Sequence, residues 1–331
     1  MDFGIFMEFG NRQGGSEIAS FREGFDLVDA AEAWGLDGAW LAEFHFNPVR
    51  SVLSSPIVVA SAIATRTKRL RIGMAVYVLP LNNPLRIAEE VATVDHISAG
   101  RFDFGIGRSG FRRSYDIYGT AYSESQTRFR ESLEIMREAW KGETFSYKGE
   151  CFQIDNATVS PRPYQQPHPP LRMAAVTPET FPSVAKEGFP IFVGLRGMDT
   201  SELRVHLDIY RKAWREAGHP GQGNVYLRVP VYAGATEKAA FEEPRESITY
   251  YFTRQSNLVT QNTTPRETST IDASEPQSMA QRLASLTYED MLQTKVAFGS
   301  GAGLTERLKQ LEEELGLDGI VAEMNAGGLI P

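Results

Sequence analysis

LRIGMAVYVLP (Leu70–Pro80) is followed by a short polar turn, then PLRIAEE (Pro84–Glu90) and an apolar-periodic run to Ser98. The stretch closes with GRFDFGIGRSG (Gly100–Gly110). Read physically, it is a strand, a tight loop, a helix, a second strand and a glycine-rich loop. A strand–helix–strand unit of this length is the repeating element of a parallel sheet. The chain on either side repeats it. Residues 2–7 read as a first strand, and Gly10 to Ser16 as a loop. Phe21 to Trp34 has helical spacing and stops at Gly35. Gly38 to Ala42 is a second strand ending at Glu43, and Ser54 to Thr67 is a helix with Pro56 in its first turn. Leu70–Val78 and Arg101–Ile106 are strands three and four, and Ser123–Trp140 is a long helix. Leu171–Val176, Pro190–Gly194, Val225–Tyr232 and Gly319–Glu323 supply strands five to eight, with helices between them.

Eight strands alternating with helices predict an α/β fold, a (β/α)8 TIM barrel with insertions, as a single domain over residues 1–331. The four residues Gly35–Gly38 return unchanged as Gly316–Gly319, each time joining a helix to a strand. One insertion covers about 142–170 and reads as a small hairpin followed by a Pro-rich connector. The other covers about 240–300, polar and longer than an ordinary connection. Placed before the last strand, it would lie over the catalytic rim, as a lid or as a variable surface segment.

Composition narrows the classes. The 331 residues are 42% hydrophobic and 23% charged, ordinary globular usage that supports a sizeable core. The net charge of −8 leaves no basic face, which argues against a nucleic-acid partner. One cysteine, Cys151, excludes an internal disulfide framework and a Cys-based metal cluster, and fits a cytoplasmic location. The first residues, Met1 to Glu8, lack the basic start and long apolar run of a signal peptide. No segment approaches the roughly 18 apolar residues of a membrane span.

The ends of barrel strands carry function, so the residues that follow each strand are the candidates. Glu43-Phe44-His45-Phe46 follows the second strand, and Ala75-Val76 lies in the third. Gly105-Ile106-Gly107-Arg108 follows the fourth: glycines allow close backbone approach and Arg is a natural phosphate partner. It matches neither the Rossmann fingerprint nor a Walker loop. After the fifth, Thr177 suits an N-cap and Pro178 a first helical residue, which would leave a helix N-terminus open to an anion. Asp95 and His96 read as structural. His168 and His219 read as exposed loop residues, and His206 as surface. No His/Asp/Glu spacing reads as a metal site. The Gly-x-Gly triplets of 221–223, 299–301 and 301–303 read as loops.

With Gly100-Arg101-Phe102-x-Phe104-Gly105 behind Asp95-His96-Ile97-Ser98, the chain resembles the bacterial luciferase-like flavin-dependent monooxygenases. The likeness is strongest from Gly38 to Gly119 and again at Leu315–Gly319, and weakest across 240–300. It implies His45 as catalytic residue. It also implies cofactor contacts at Glu43, Ala75, Val76, Gly107, Arg108, Arg128, Val176, Thr177 and Thr180, with the flavin phosphate held by the two arginines and by backbone amides at 176, 177 and 180. A cis Ala75–Val76 bond is expected from the same source. The family often has Glu-His-His-Phe where this chain keeps Glu43, His45 and Phe46 but has Phe44 for the first His. That His is important in luciferase's catalytic subunit and absent from its non-catalytic partner.

The activity the resemblance implies is a two-component monooxygenase. FMNH2 from a separate flavin reductase reacts with O2 to give a C4a-peroxyflavin that oxygenates a small organic substrate. The alternatives are hydride transfer with F420, a non-catalytic flavin-binding partner subunit, and a barrel that binds no flavin. Phe6, Phe44, Phe46, Phe111 and Tyr115 fall near rim loops and suggest an apolar pocket. A homodimer is expected, with the helices after strands two and three as its interface.

Overall fold

The computed structural model describes residues 1–12, 14–262 and 279–330, in two compact units that divide between Ala174 and Ala175. In the N-terminal unit the strands are β1 (Asp2–Met7), β2 (Gly38–Leu41), β3 (Arg71–Met74), β4 (Tyr77–Val78) and β5 (Phe102–Gly107), followed by β6 (Phe145–Lys148), β7 (Gln153–Ala157) and β8 (Leu171–Ala174). The helices are α1 (Glu17–Trp34), α2 (Pro56–Arg66), α3 (Pro84–Ile97), α4 (Arg112–Tyr118) and α5 (Ser125–Trp140). The sheet runs β1-β2-β3-β5-β8, all parallel, with Gly4 opposite Gly38, Gly38 opposite Arg71, Ile72 opposite Phe102 and Phe104 opposite Leu171.

Local chemistry fixes these elements. Ser16 caps α1 by accepting from the Ala19 amide, and Gly35 ends it in the left-handed region at φ 83°. Asn83 caps α3 ahead of Pro84. The strands are buried on both faces, as a parallel sheet flanked by helices requires. Gly73 must be glycine, because a Cβ there would lie 2.1 Å from the Trp40 ring. The third strand, expected as one run over Leu70–Val78, is two pieces. It breaks at Ala75–Val76, whose peptide bond is cis as the family likeness implied, and β4 then pairs with β5. The 142–170 excursion is the expected hairpin, β6 and β7, antiparallel. Buried Glu131 of α5 holds its turn, accepting from the amides of Glu150, Cys151 and Phe152 at 2.6, 3.0 and 3.0 Å.

The C-terminal unit holds α6 (Thr180–Lys186), β9 (Ile191–Gly194), α7 (Thr200–Glu216), β10 (Val225–Ala233), α8 (Glu237–Glu242), α9 (Arg245–Asn262), α10 (Met279–Ala284), α11 (Tyr288–Thr294), β11 (Ala297–Gly299), α12 (Gly301–Leu315) and β12 (Gly319–Met324). Long β10 is its centre, pairing in parallel with β9 and β12 and, over its last three residues, with β11. The 240–300 stretch carries helices around its own apolar cluster of Ile248, Tyr251, Phe252, Leu283, Met291, Val296 and Phe298. Its residues 263–278 lie outside the described residues. The triplet Gly301–Gly303, expected as a loop, opens α12 instead, with Ser300 as its N-cap.

Candidate active site

Past β2 the ladder continues for one residue: the Ala42 amide donates to Met7, and the Ala75 amide to Leu41. The chain then turns and brings Glu43 and His45 together. Glu43 Oε1 lies 2.6 Å from His45 Nε2, while Oε2 accepts from the Val78 amide at 2.8 Å. The glutamate side chain is 2% exposed and the imidazole 10%. Burial holds the Glu43 carboxyl above its ordinary range, against the opposing pull of His45 and the Val78 amide. Burial also pushes the neighbouring Tyr77 phenol well up. The second ring nitrogen of His45, Nδ1, lies 3.2 Å from the hydroxyl of Tyr118, the last residue of α4. The rings of His45, Phe46 and Tyr118 pack on one another, with centroids 5.1 to 5.9 Å apart.

Phe44, the departure from the family pattern, has a physical reason. The Arg50 guanidinium lies 3.7 Å over its ring, and Phe111 meets it edge-on at 5.9 Å. Arg50 is buried and paired with Glu8. A phenyl face attracts that cation, whereas an imidazole there would be discouraged from taking a proton.

A second polar group is built around β5 and α5. Gly107 ends β5 where a Cβ would come within 2.5 Å of the Val76 side chain, so glycine is what lets these segments meet. Arg108 donates to Ser125 Oγ at 3.1 Å and Tyr122 OH at 3.3 Å, and its carbonyl accepts from Tyr115 OH. Ser125 opens α5, and Arg128 stands one turn on, bonded to Glu124 at 3.3 Å with its guanidinium 5.1 Å from the Phe152 ring centre. Guanidinium and hydroxyl donors near the start of a helix are of the kind that phosphate monoesters accept from.

In the C-terminal unit, Val176 and Thr177 lie on an exposed segment after β8, and Thr180, partly buried, opens α6. Thr177 is not the N-cap expected of it: α6 begins only at Thr180 and has 7 residues. The Thr180 amide donates to the Thr177 carbonyl at 3.0 Å and closes the turn. The hydroxyls of Thr177 and Thr180 lie 3.0 Å apart.

Of the rim aromatics, Tyr115 and Phe6 are buried, Phe44 and Phe111 are half-buried and Phe46 is exposed. His168, His206 and His219 are half-buried against Trp140, Phe181 and Trp214, at 5.2, 5.2 and 5.0 Å between ring centres. Asp95 is structural as expected, accepting from Gln165 at 2.7 and 2.8 Å. Tyr118 went unread in the sequence. It lies three residues after Tyr115, and only the phase of α4 tells which of the two faces His45. Among the described residues no three His, Cys, Asp or Glu side chains gather as around a metal ion, and no helix is long and apolar enough to cross a membrane.

The family profile described as luciferase-like monooxygenase matches residues 1–319. The alkanal monooxygenase alpha chain of the Kryptophanaron alfredi symbiont is 32% identical over 194 residues, 59% of this chain and 54% of the relative. The chain spans about half the length of the first curated relatives it matches. Among solved structures, the oxygenating constituent of 3,6-diketocamphane monooxygenase from the CAM plasmid of Pseudomonas putida, a type II Baeyer–Villiger monooxygenase in complex with FMN, superposes with a TM-score of 0.80. It is 21% identical and covers 98% of this chain and 91% of that one. An F420-dependent secondary alcohol dehydrogenase in complex with an F420–acetone adduct superposes with a TM-score of 0.75, at 16% identity over 98% and 93% of the two chains. These likenesses give the fold class: α/β, a luciferase-like (β/α)8 TIM barrel.

Proposed function

We propose that this chain, which belongs to the luciferase-like monooxygenase family, is the oxygenase of a two-component system that takes FMNH2 from a separate flavin reductase and uses O2 to oxygenate a small apolar organic substrate. The observation that carries the reading is the buried Glu43–His45 pair, 2.6 Å apart, just past the end of a barrel strand. A buried carboxylate beside an imidazole holds a proton at a defined place and keeps it from bulk water. Arg108 and Arg128, with Ser125 and Tyr122, are the groups that would hold the phosphate, and Gly107, Ala75 and Val76 the backbone that would lie against the ring. When bound, the reduced flavin supplies the electrons that activate O2. Phe44, Phe46 and Phe111 supply apolar surface for a substrate. The test is His45→Ala: flavin binding persists and uncoupled H2O2 release rises. Unchanged coupling would remove His45 from the reaction.

A second reading, hydride transfer with F420, is favoured by the likeness to the F420-dependent dehydrogenase. Titrating the purified chain with FMNH2 and with F420 separates the two. Oxygenation by the chain alone would exclude a non-catalytic partner subunit. Two copies pairing through α2 and α3 complete the reading; light scattering tests it, and a monomer at micromolar concentration contradicts it.

A further inference from the structure

We infer that Tyr118 is the working end of the proton site: its hydroxyl, not the imidazole of His45, meets the reacting molecule, and His45 and Glu43 act through it. The inference rests on the proposed role of His45 and deepens it. Both ring nitrogens of His45 are occupied, Nε2 by Glu43 at 2.6 Å and Nδ1 by Tyr118 at 3.2 Å. Ionised Glu43 can only accept, so Nε2 carries the hydrogen and Nδ1 presents its lone pair to the tyrosine O–H. No ring nitrogen remains for a ligand. Exposure rises along the path: Glu43 and His45 are intermediate as whole residues, and Tyr118 is exposed, at 49%. Gly119, at φ 69°, ends α4 directly after Tyr118, and Phe46 braces the ring at 5.1 Å. Partial burial raises the Tyr118 phenol above its ordinary value, in the direction that favours the protonated hydroxyl.

The transfer balances without any redox partner. A bound molecule gives a proton to the Tyr118 oxygen as the tyrosine gives its own to His45 Nδ1. The imidazolium that forms is neutralised by the Glu43 carboxylate. In the reverse direction Nδ1 returns its proton to Tyr118, which protonates the bound oxygen. Tyr118 is thereby the catalytic residue, and His45 and Glu43 are positioning and charge-balancing residues behind it.

Two readouts test this on the whole chain. The first needs no cofactor: 15N spectra of histidine-labelled protein, with His45 assigned by its loss in His45→Ala. Tyr118→Phe keeps the ring and removes only the hydroxyl. The expected result is a shift of the Nδ1 resonance toward that of an unbonded, unprotonated nitrogen, with Nε2 unmoved. An unmoved Nδ1 overturns the inference. The second uses FMNH2 and O2 as probes and reads H2O2 release from Tyr118→Phe, His45→Ala and the double variant. Residues of one relay act as a unit, so all three should differ from wild type by the same factor, within about twofold. A change in His45→Ala with none in Tyr118→Phe overturns the role of Tyr118 alone. No change in His45→Ala overturns the reading beneath it, and with it the relay.

Discussion

Glu323 of β12 and Glu43 are both buried carboxylates bonded into a tyrosine network, yet they are finished differently. Glu323 is met by Arg228 through Nε at 2.9 Å and Nη2 at 2.8 Å, and by the Tyr251 hydroxyl of α9 at 3.0 Å. Its charge is neutralised by a permanent cation, and the tyrosine that completes it is buried. Glu43 has no such partner: among the described residues its ion-pair contact is an imidazole, and its network runs out to a half-exposed tyrosine. A closed network, with a permanent cation and a buried hydroxyl on the carboxylate, serves to hold strands and helix together. One balanced only by histidine, with an open end, can exchange a proton. The difference separates a structural carboxylate from a working one where burial and residue type do not.

The contrast can be broken most forcefully at its structural end. Arg228→Ala leaves Glu323 buried without its cation and should cost about 3–5 kcal/mol, whereas replacing both by apolar residues of similar volume should cost far less. Urea unfolding measures both, and equal losses would contradict a closed network. At the other end, His45→Ala should cost less stability than Arg228→Ala, because Glu43 left without its partner can take a proton, and should raise H2O2 release while slowing the proton-dependent step on the order of 10²-fold, the scale of a lost proton-transfer group. A stability loss as large as that of Arg228→Ala would make Glu43–His45 structural too.

A smaller effect is expected from Arg108→Ala. Removing one charge-assisted contact should weaken FMN binding about tenfold and leave riboflavin binding unchanged; equal losses would detach Arg108 from the phosphate. The smallest effect sharpens the electrostatics. Burial raises the Glu43 carboxyl, so the folded chain holds that proton more tightly than the unfolded one. The resulting stability is present below the unfolded value of about 4.3 and is lost as pH rises through the folded one. Glu43→Gln removes that loss. Its unfolding free energy should therefore gain on wild type as pH rises above about 4.3, and parallel curves would contradict it.

Much of this was legible in the residues. Strand and helix positions follow from apolar runs and from Gly35, Asn83 and Pro84, and the third strand's break at Ala75–Val76 from the family likeness alone. The helices of the 240–300 stretch are less visible. Ile248, Tyr251 and Phe252 have helical spacing, but Thr, Arg and Gln on the outer face make the average polar. Thr177 looks like a cap because of Pro178, yet the turn closes on itself before α6 begins. The site was half legible. Glu43 and His45 are named by position, but Tyr118 comes from another element, and its phase relative to Tyr115 exists only in the fold.

The central claim is that this chain is an FMNH2-dependent oxygenase. Anaerobic titration with FMNH2, with F420 in parallel, followed by rapid mixing with O2, tests it most directly. The expected result is saturable FMNH2 binding and a flavin spectrum that does not return at once to oxidised FMN. Binding of F420 in place of FMNH2, or immediate reoxidation of the bound flavin, would contradict it.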